Sequence, residues 1–189
     1  MTNKKIGVLI GSLRKDSFSR KVYMVVKNMV PASFEMEEIK IGDLTIYNQD
    51  LDDEGTPPAA WTSFRERVKP LDAVLFITPE YNRSVPAVIK NAIDIGSRPY
   101  GQSVWDKKPG AVISVSPGGL SGFGANHHLR QALVFLNIPV MQQPEAYIGN
   151  AASLFDDNGA LVNERSREFL QQFVDAFVDW IVTTAPKKS

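Results

Sequence analysis

Three short stretches of the chain, IGVLI at residues 6–10, AVLFI at 73–77 and AVISV at 111–115, are apolar almost without interruption. A strand with one wet face alternates apolar and polar residues, because successive side chains point to opposite faces. An unbroken run of about five residues suits a strand covered on both faces, as in a parallel sheet flanked by helices. Weaker strand candidates lie at 34–39 (FEMEEI) and 140–148 (VMQQPEAYI).

Helical periodicity fills the intervals. Residues 18–30 place Val22, Val25, Val26 and Met29 on one face before Pro31 stops the helix. A shorter helix is predicted over 61–69. Over 85–97, Val85, Val88, Ile89, Ala92 and Ile95 share a face, with Pro86 suited to a first turn. Leu129, Leu133 and Leu136 align over 125–137, and Leu170, Phe173, Val174, Phe177, Val178 and Ile181 over 163–182. Strict alternation of strand and helix implies right-handed crossovers and a parallel sheet. The expected fold is α/β: a flavodoxin-like three-layer α/β/α sandwich around a five-stranded parallel sheet in the order 2-1-3-4-5. The 189 residues fit a single domain spanning 1–189, with a frayed tail over 185–189.

Composition excludes several classes of function. The 21 basic and 21 acidic residues cancel, which argues against non-specific nucleic-acid binding and a membrane-surface role. No cysteine is present, so disulfides, thiolate metal sites and thiol nucleophiles are absent together. The basic start MTNKK precedes an apolar run too short for a signal peptide, and the run reads as the first strand. Nothing approaches the roughly 20 apolar residues of a membrane span, and a cytoplasmic location is expected.

In a sheet of this order, ligands bind beyond the carboxyl ends of the strands, near the switch point between strands 1 and 3. The loops there read GSLRKDSFS (11–19), PEYNRSVP (79–86) and SPGGLSGFG (116–124). The first offers hydroxyls, Arg14 and a helix N-terminus, which together suit an anion. The same serines also suit a plain helix cap, with Ser17 or Ser19 as the capping residue. Walker A and G-x-G-x-x-G patterns are both missing, so a terminal monophosphate fits better than a bridging pyrophosphate. The second loop is stiffened by Pro79 and Pro86 and offers Tyr81 and Asn82 to a flat heteroaromatic; alternatively Asn82 caps the next helix. The third, with four glycines, is either a mobile lid or a close ligand contact. His127 and His128 are adjacent and point about 100° apart on a helix, which disfavours a shared metal; surface or subunit-contact roles are expected. No G-x-S-x-G elbow is present either.

The segments GSLRKDSFSRKV (11–22), TPEYNRSVPAVIKNAIDIGSRP (78–99) and KKPGAVISVSPGG (107–119) resemble the NADPH-dependent FMN reductase family, above all its bacterial quinone and chromate reductases. The likeness runs from about residue 5 to about residue 149. It implies non-covalent FMN, with NADPH or NADH as reductant, in a homodimer or homotetramer. By position, Ser12, Arg14, Ser17 and Ser19, with Phe18 in the same loop, would hold the FMN phosphate. Pro79, Glu80, Tyr81, Asn82 and Arg83 would line the isoalloxazine, and Ser116 and Gly118 would lie beside it. Many relatives carry an aromatic residue where Arg83 stands and an asparagine where Ser19 stands. Arg130 and Glu145 are candidate subunit contacts.

The implied activity is ping-pong hydride transfer from NAD(P)H through the flavin to a quinone, free flavin, azo or nitro compound, or chromate. The flavin carries the chemistry, so no catalytic acid, base or metal is assigned. The alternative is an FMN-carrying shuttle reduced by a partner protein, against which the zero net charge speaks. With its place opposite PEYN in a switch-point fold, loop 11–19 reads as a phosphate cradle, leaving Lys15, Arg20 and Lys21 solvated.

Overall fold

A computed structural model describes residues 3–186. Five strands, β1 (Lys4–Ile10), β2 (Phe34–Glu38), β3 (Ala73–Thr78), β4 (Gly110–Val115) and β5 (Ala146–Ile148), form one sheet in the order β2-β1-β3-β4-β5. Every pairing is parallel. Six helices accompany them: α1 (Phe18–Val26), α2 (Gln49–Asp53), α3 (Ala59–Val68), α4 (Ala87–Gly96), α5 (Phe123–Phe135) and α6 (Glu164–Thr184). The expected flavodoxin-like architecture is the observed one. No described helix is long and apolar enough to cross a membrane.

The continuous apolar runs are explained by two cores, one on each face of the sheet. Ile6, Val8 and Ile10 of β1, with Ala73, Leu75 and Ile77 of β3, face α1 and α6. Leu9, Val74 and Phe76 face α3, α4 and α5. The period of two survives, but both phases are apolar. Leu170, Phe173, Val174, Phe177 and Ile181 of α6 are all fully buried, each contributing about 1.5–3 kcal/mol.

Beyond shifts of one or two residues, two elements are shorter than the sequence reading and one α-helix is additional. Helix α1 ends at Val26, because Asn28 and Met29 donate to Val25 and Val26 in tightened i−3 bonds before Pro31. Strand β5 shrinks to three residues: Val140 keeps an isolated bridge to Gly110, and Pro144, between Val140 and the strand, lacks the N–H group a continuous ladder needs. Helix α2 has no buried residue and thus no apolar period to announce it. It starts at Asn48, whose side chain accepts from the Asp50 amide, and is held by Asp52, paired with Arg65 at 2.6 Å. Of the tail expected to fray, residues 187–189 lie outside the described residues.

Candidate cofactor site

The three loops meet at the carboxyl ends of β1, β3 and β4. Gly11 leads out of β1, its amide donating to the Ile77 carbonyl at 2.8 Å. A Cβ on Gly11 would lie 2.6 Å from Ile89 of α4 and 3.0 Å from Pro79. The first loop therefore threads between the second loop and the core, and a side chain there would have to push Ile89 and Pro79 aside.

Beyond Gly11, the hydroxyl residues turn inward: Ser12, Ser17 and Ser19 are 4%, 3% and 2% exposed, while Arg14 and Lys15 are exposed. Ser17 is the N-cap of α1, and its Oγ accepts from the Arg20 amide at 3.1 Å. Capping uses an oxygen lone pair and leaves the hydroxyl proton available. Cap and cradle are thus compatible in one side chain. Phe18 opens the helix, with Lys21 Nζ 5.7 Å above its ring.

Arg20 is not solvated as the sequence suggested. Its guanidinium makes two bonds to Glu38 at the end of β2, at 2.7 and 2.8 Å, and Lys40 adds a third at 3.0 Å. The Arg20 hydrogen bond holds the Glu38 carboxyl below its ordinary pKa, against the opposing cost of burial. This pair ties the first turn of α1 to the sheet.

The second loop is a two-residue hairpin turn. Tyr81 and Ser84 exchange both backbone hydrogen bonds at 3.0 Å, and Asn82 and Arg83 between them have φ of 51° and 65°. Both central residues are left-handed, at a cost of about 1–2 kcal/mol each for a residue with a Cβ. Tyr81, Asn82 and Arg83 are exposed at the tip. Asn82 does not cap α4, whose N-cap is Pro86 with no side-chain bond.

Glu80 points away from the tip, toward α5. Its Oε2 accepts from the Ala125 amide at 3.0 Å, and Arg83 approaches it at 3.7 Å. Gly122, the N-cap of α5, offers no side chain, so Glu80 caps that helix from another loop. A Cβ on Gly124 would lie 2.7 Å from the Arg83 carbonyl, and His128 Nδ1 sits 3.1 Å from Ser84 Oγ. The second and third loops are fastened together at these points. Within the third loop, the Gly118 amide donates to Ser116 Oγ at 3.1 Å, and the Ala151 amide to the Ser116 carbonyl.

Two polar residues missed in the sequence support this arrangement. Asn91, 7% exposed, accepts from the Tyr47 amide and donates to the carbonyls of Leu44 and Thr45, clamping that segment to α4. Asn126, fully buried, donates to Ser114 Oγ and the Ala146 carbonyl and accepts from Arg130 Nε. Arg130 also donates to the Met141 carbonyl at 2.9 Å, so it acts within the chain as an internal tie. Tyr147 Oη lies 3.0 Å from His127 Nε2. Burial first, and Glu145 second, push the Tyr147 hydroxyl up to about 12. The adjacent histidines serve different partners, His127 facing β5 and His128 the second loop.

The family described as NADPH-dependent FMN reductase matches residues 4–153. The chain belongs to that family. A quinone reductase of Pseudomonas putida is 58% identical to this family member over 176 residues, covering 93% of this chain and 94% of the relative. A 2-hydroxy-1,4-benzoquinone reductase of a Burkholderia species is 42% identical, covering 94% and 96%. Among solved structures, FerB, a flavoenzyme NAD(P)H:(acceptor) oxidoreductase of Paracoccus denitrificans, is 43% identical with a TM-score of 0.90, covering 97% of this chain and all of the other. This FMN reductase is thus a flavoenzyme oxidoreductase, with FMN as cofactor and NAD(P)H as reductant. The residues present fit FMN: buried hydroxyls at a helix N-terminus suit its phosphate, and an exposed aromatic hairpin opposite suits its ring.

Proposed function

We propose that the chain is an NAD(P)H:quinone reductase whose three loops hold FMN. Ser12, Ser17 and Ser19 donate hydroxyl hydrogen bonds to the phosphate at the head of α1, with Phe18 contributing its place in the first turn. Arg14 reaches over from the exposed side with its planar fork of donors. Pro79, Tyr81, Asn82 and Arg83 border the ring through the stiff hairpin, and Ser116 and Gly118 border it from the third loop. Glu80 holds the hairpin in position through the α5 N-terminus. The observation that carries the reading is Ser17, buried, capping α1 through its oxygen while its proton stays uncommitted.

Bound FMN supplies the redox chemistry, taking hydride equivalents from NAD(P)H and passing them to the acceptor. The chain binds, orients and shields. The exposed Tyr81 tip leaves one side open for nicotinamide and then for a flat quinone to enter in turn, which is ping-pong order. The named activities of the relatives support a quinone as acceptor. The exposed apolar side chains Phe123, Val134 and Phe135 along α5 support a homodimer or homotetramer. A cytoplasmic location is part of this proposal. The test is anaerobic stopped-flow mixing of the flavin-loaded protein with NADPH and with NADH, followed by benzoquinone. Flavin absorbance should bleach with at least one reductant and return on quinone addition; absorbance unchanged by both reductants refutes the reading.

A further inference from the structure

A cavity of about 730 Å³ opens beside the phosphate loop, between residues 15–24 and residues 152–159. It shares Lys15, Asp16, Ser17 and Phe18 with the loop but takes no residue from 79–86 or 116–124. A phosphate at Ser17 therefore has the ring-binding loops on one side and this cavity on the other. The volume is that of a ligand site, and FMN, whose chain ends at the phosphate, leaves it unfilled.

The lining has mixed chemistry. Phe18, half-buried, and Phe155, 8% exposed, line it with ring edges, and Lys21 Nζ lies 5.7 and 5.6 Å from their centroids. Arg20 is engaged by Glu38, and Asp156 by its own turn, accepting from the Asn158 and Ala160 amides. Lys15 and Lys21 remain as cations, and Asp16, Asp157 and Asn158 as hydrogen-bonding groups. Two cations, aromatic surface and two carboxylates with an amide match a phosphate, a flat base and sugar hydroxyls.

The geometry points to an adenylate subsite contiguous with the FMN phosphate site. Lys15 and Lys21 take the adenylate phosphate, Phe18 and Phe155 the base, and Asp157 and Asn158 the ribose. Two sources share this chemistry: the adenylate half of FAD, continuing past the FMN phosphate, and the adenylate half of NAD(P)H. The inference rests on the FMN reading above.

Ala152 lines the cavity and is exposed, so Ala152→Trp fills the cavity without removing a contact from the FMN loops. Lys21→Ala is the second variant, removing a cation and leaving the cavity open. Flavin-free protein is titrated with FMN and with FAD by flavin fluorescence; FMN-loaded protein is titrated calorimetrically with 5′-AMP and assayed for the KM of NADPH. Occupation by FAD is shown if FAD binds within about tenfold of FMN and both variants weaken FAD by about tenfold or more, with FMN unchanged. Occupation by the reductant is shown if both variants raise the KM of NADPH, kcat being unchanged, and weaken 5′-AMP by about tenfold. If both variants leave FAD, 5′-AMP and NADPH unaffected, the subsite is refuted while the FMN reading stands. If the unmodified protein binds neither FMN nor FAD, the FMN reading and this inference fall together.

Discussion

Ser17 is assigned two jobs, and two substitutions separate them. Ser17→Ala removes the Oγ that accepts from the Arg20 amide at 3.1 Å. Loss of a serine N-cap costs about 1 kcal/mol, so flavin-free protein should lose about that much stability in a urea titration. The same variant loses a hydroxyl donor to a charged phosphate, which is worth about 1.5–3 kcal/mol, or a rise of roughly 10- to 150-fold in the Kd for FMN. Ser17→Asp restores the cap, since aspartate and serine cap about equally well, and its charge favours a helix N-terminus. That charge also faces the phosphate. Flavin-free Ser17→Asp should therefore recover most of the roughly 1 kcal/mol lost in Ser17→Ala while binding FMN more weakly than Ser17→Ala. The assays are urea denaturation followed by far-UV circular dichroism and flavin fluorescence titration. FMN affinity equal to the parent in Ser17→Asp would refute the cradle, and unchanged stability in Ser17→Ala would refute the cap.

Other expectations follow from the remaining contacts. Arg14→Ala should weaken FMN by about 1.5–3 kcal/mol with little change in urea midpoint, because Arg14 is exposed. Glu80→Ala removes the only side-chain cap of α5 recorded among the described residues, and should cost about 1 kcal/mol in denaturation; Glu80→Gln keeps an acceptor and should recover most of it. Arg83→Val, placing a β-branched residue at φ 65°, should destabilise by about 1–2 kcal/mol in the same assay. Lys108, buried and donating to the Lys69 and Leu71 carbonyls, has its pKa lowered by burial from 10.5 to about 8. Between those values the unfolded chain holds more protons, so this group makes stability rise with pH from about 8 toward 10.5; Lys108→Met should remove that rise in pH-dependent urea titrations.

Much of this was legible in the sequence because it depends on local chemistry. The apolar runs at 6–10, 73–77 and 111–115 announced central strands, and the polar loops following them are the ones the fold brings together as the candidate site. What escaped depends on pairs distant in sequence. Nothing around Arg20 indicates Glu38, 18 residues on, so its charge read as solvated. Nothing around Glu80 indicates the α5 amide 45 residues away, so its capping bond is invisible in the sequence. Asn91 stood inside the motif KNAID, yet its clamp on 44–47 closes only when α4 lies against that segment. Helix α2 is about one and a half turns long and anchored by the Arg65–Asp52 ion pair, so it has no amphipathic signature.

The chain contains two histidines, adjacent in sequence on the first half of α5, and each leans on a different part of the molecule. His128 touches the flavin-loop hairpin through Ser84, and His127 touches β5 through Tyr147. Imidazole nitrogens labelled with ¹⁵N would accordingly give two pairs of magnetic-resonance signals, one pair per ring, with no engineering. One pair would follow the hairpin as cofactor and substrates come and go, and the other the far edge of the sheet. The protein carries its own matched pair of spectroscopic reporters, the second an internal reference for the first.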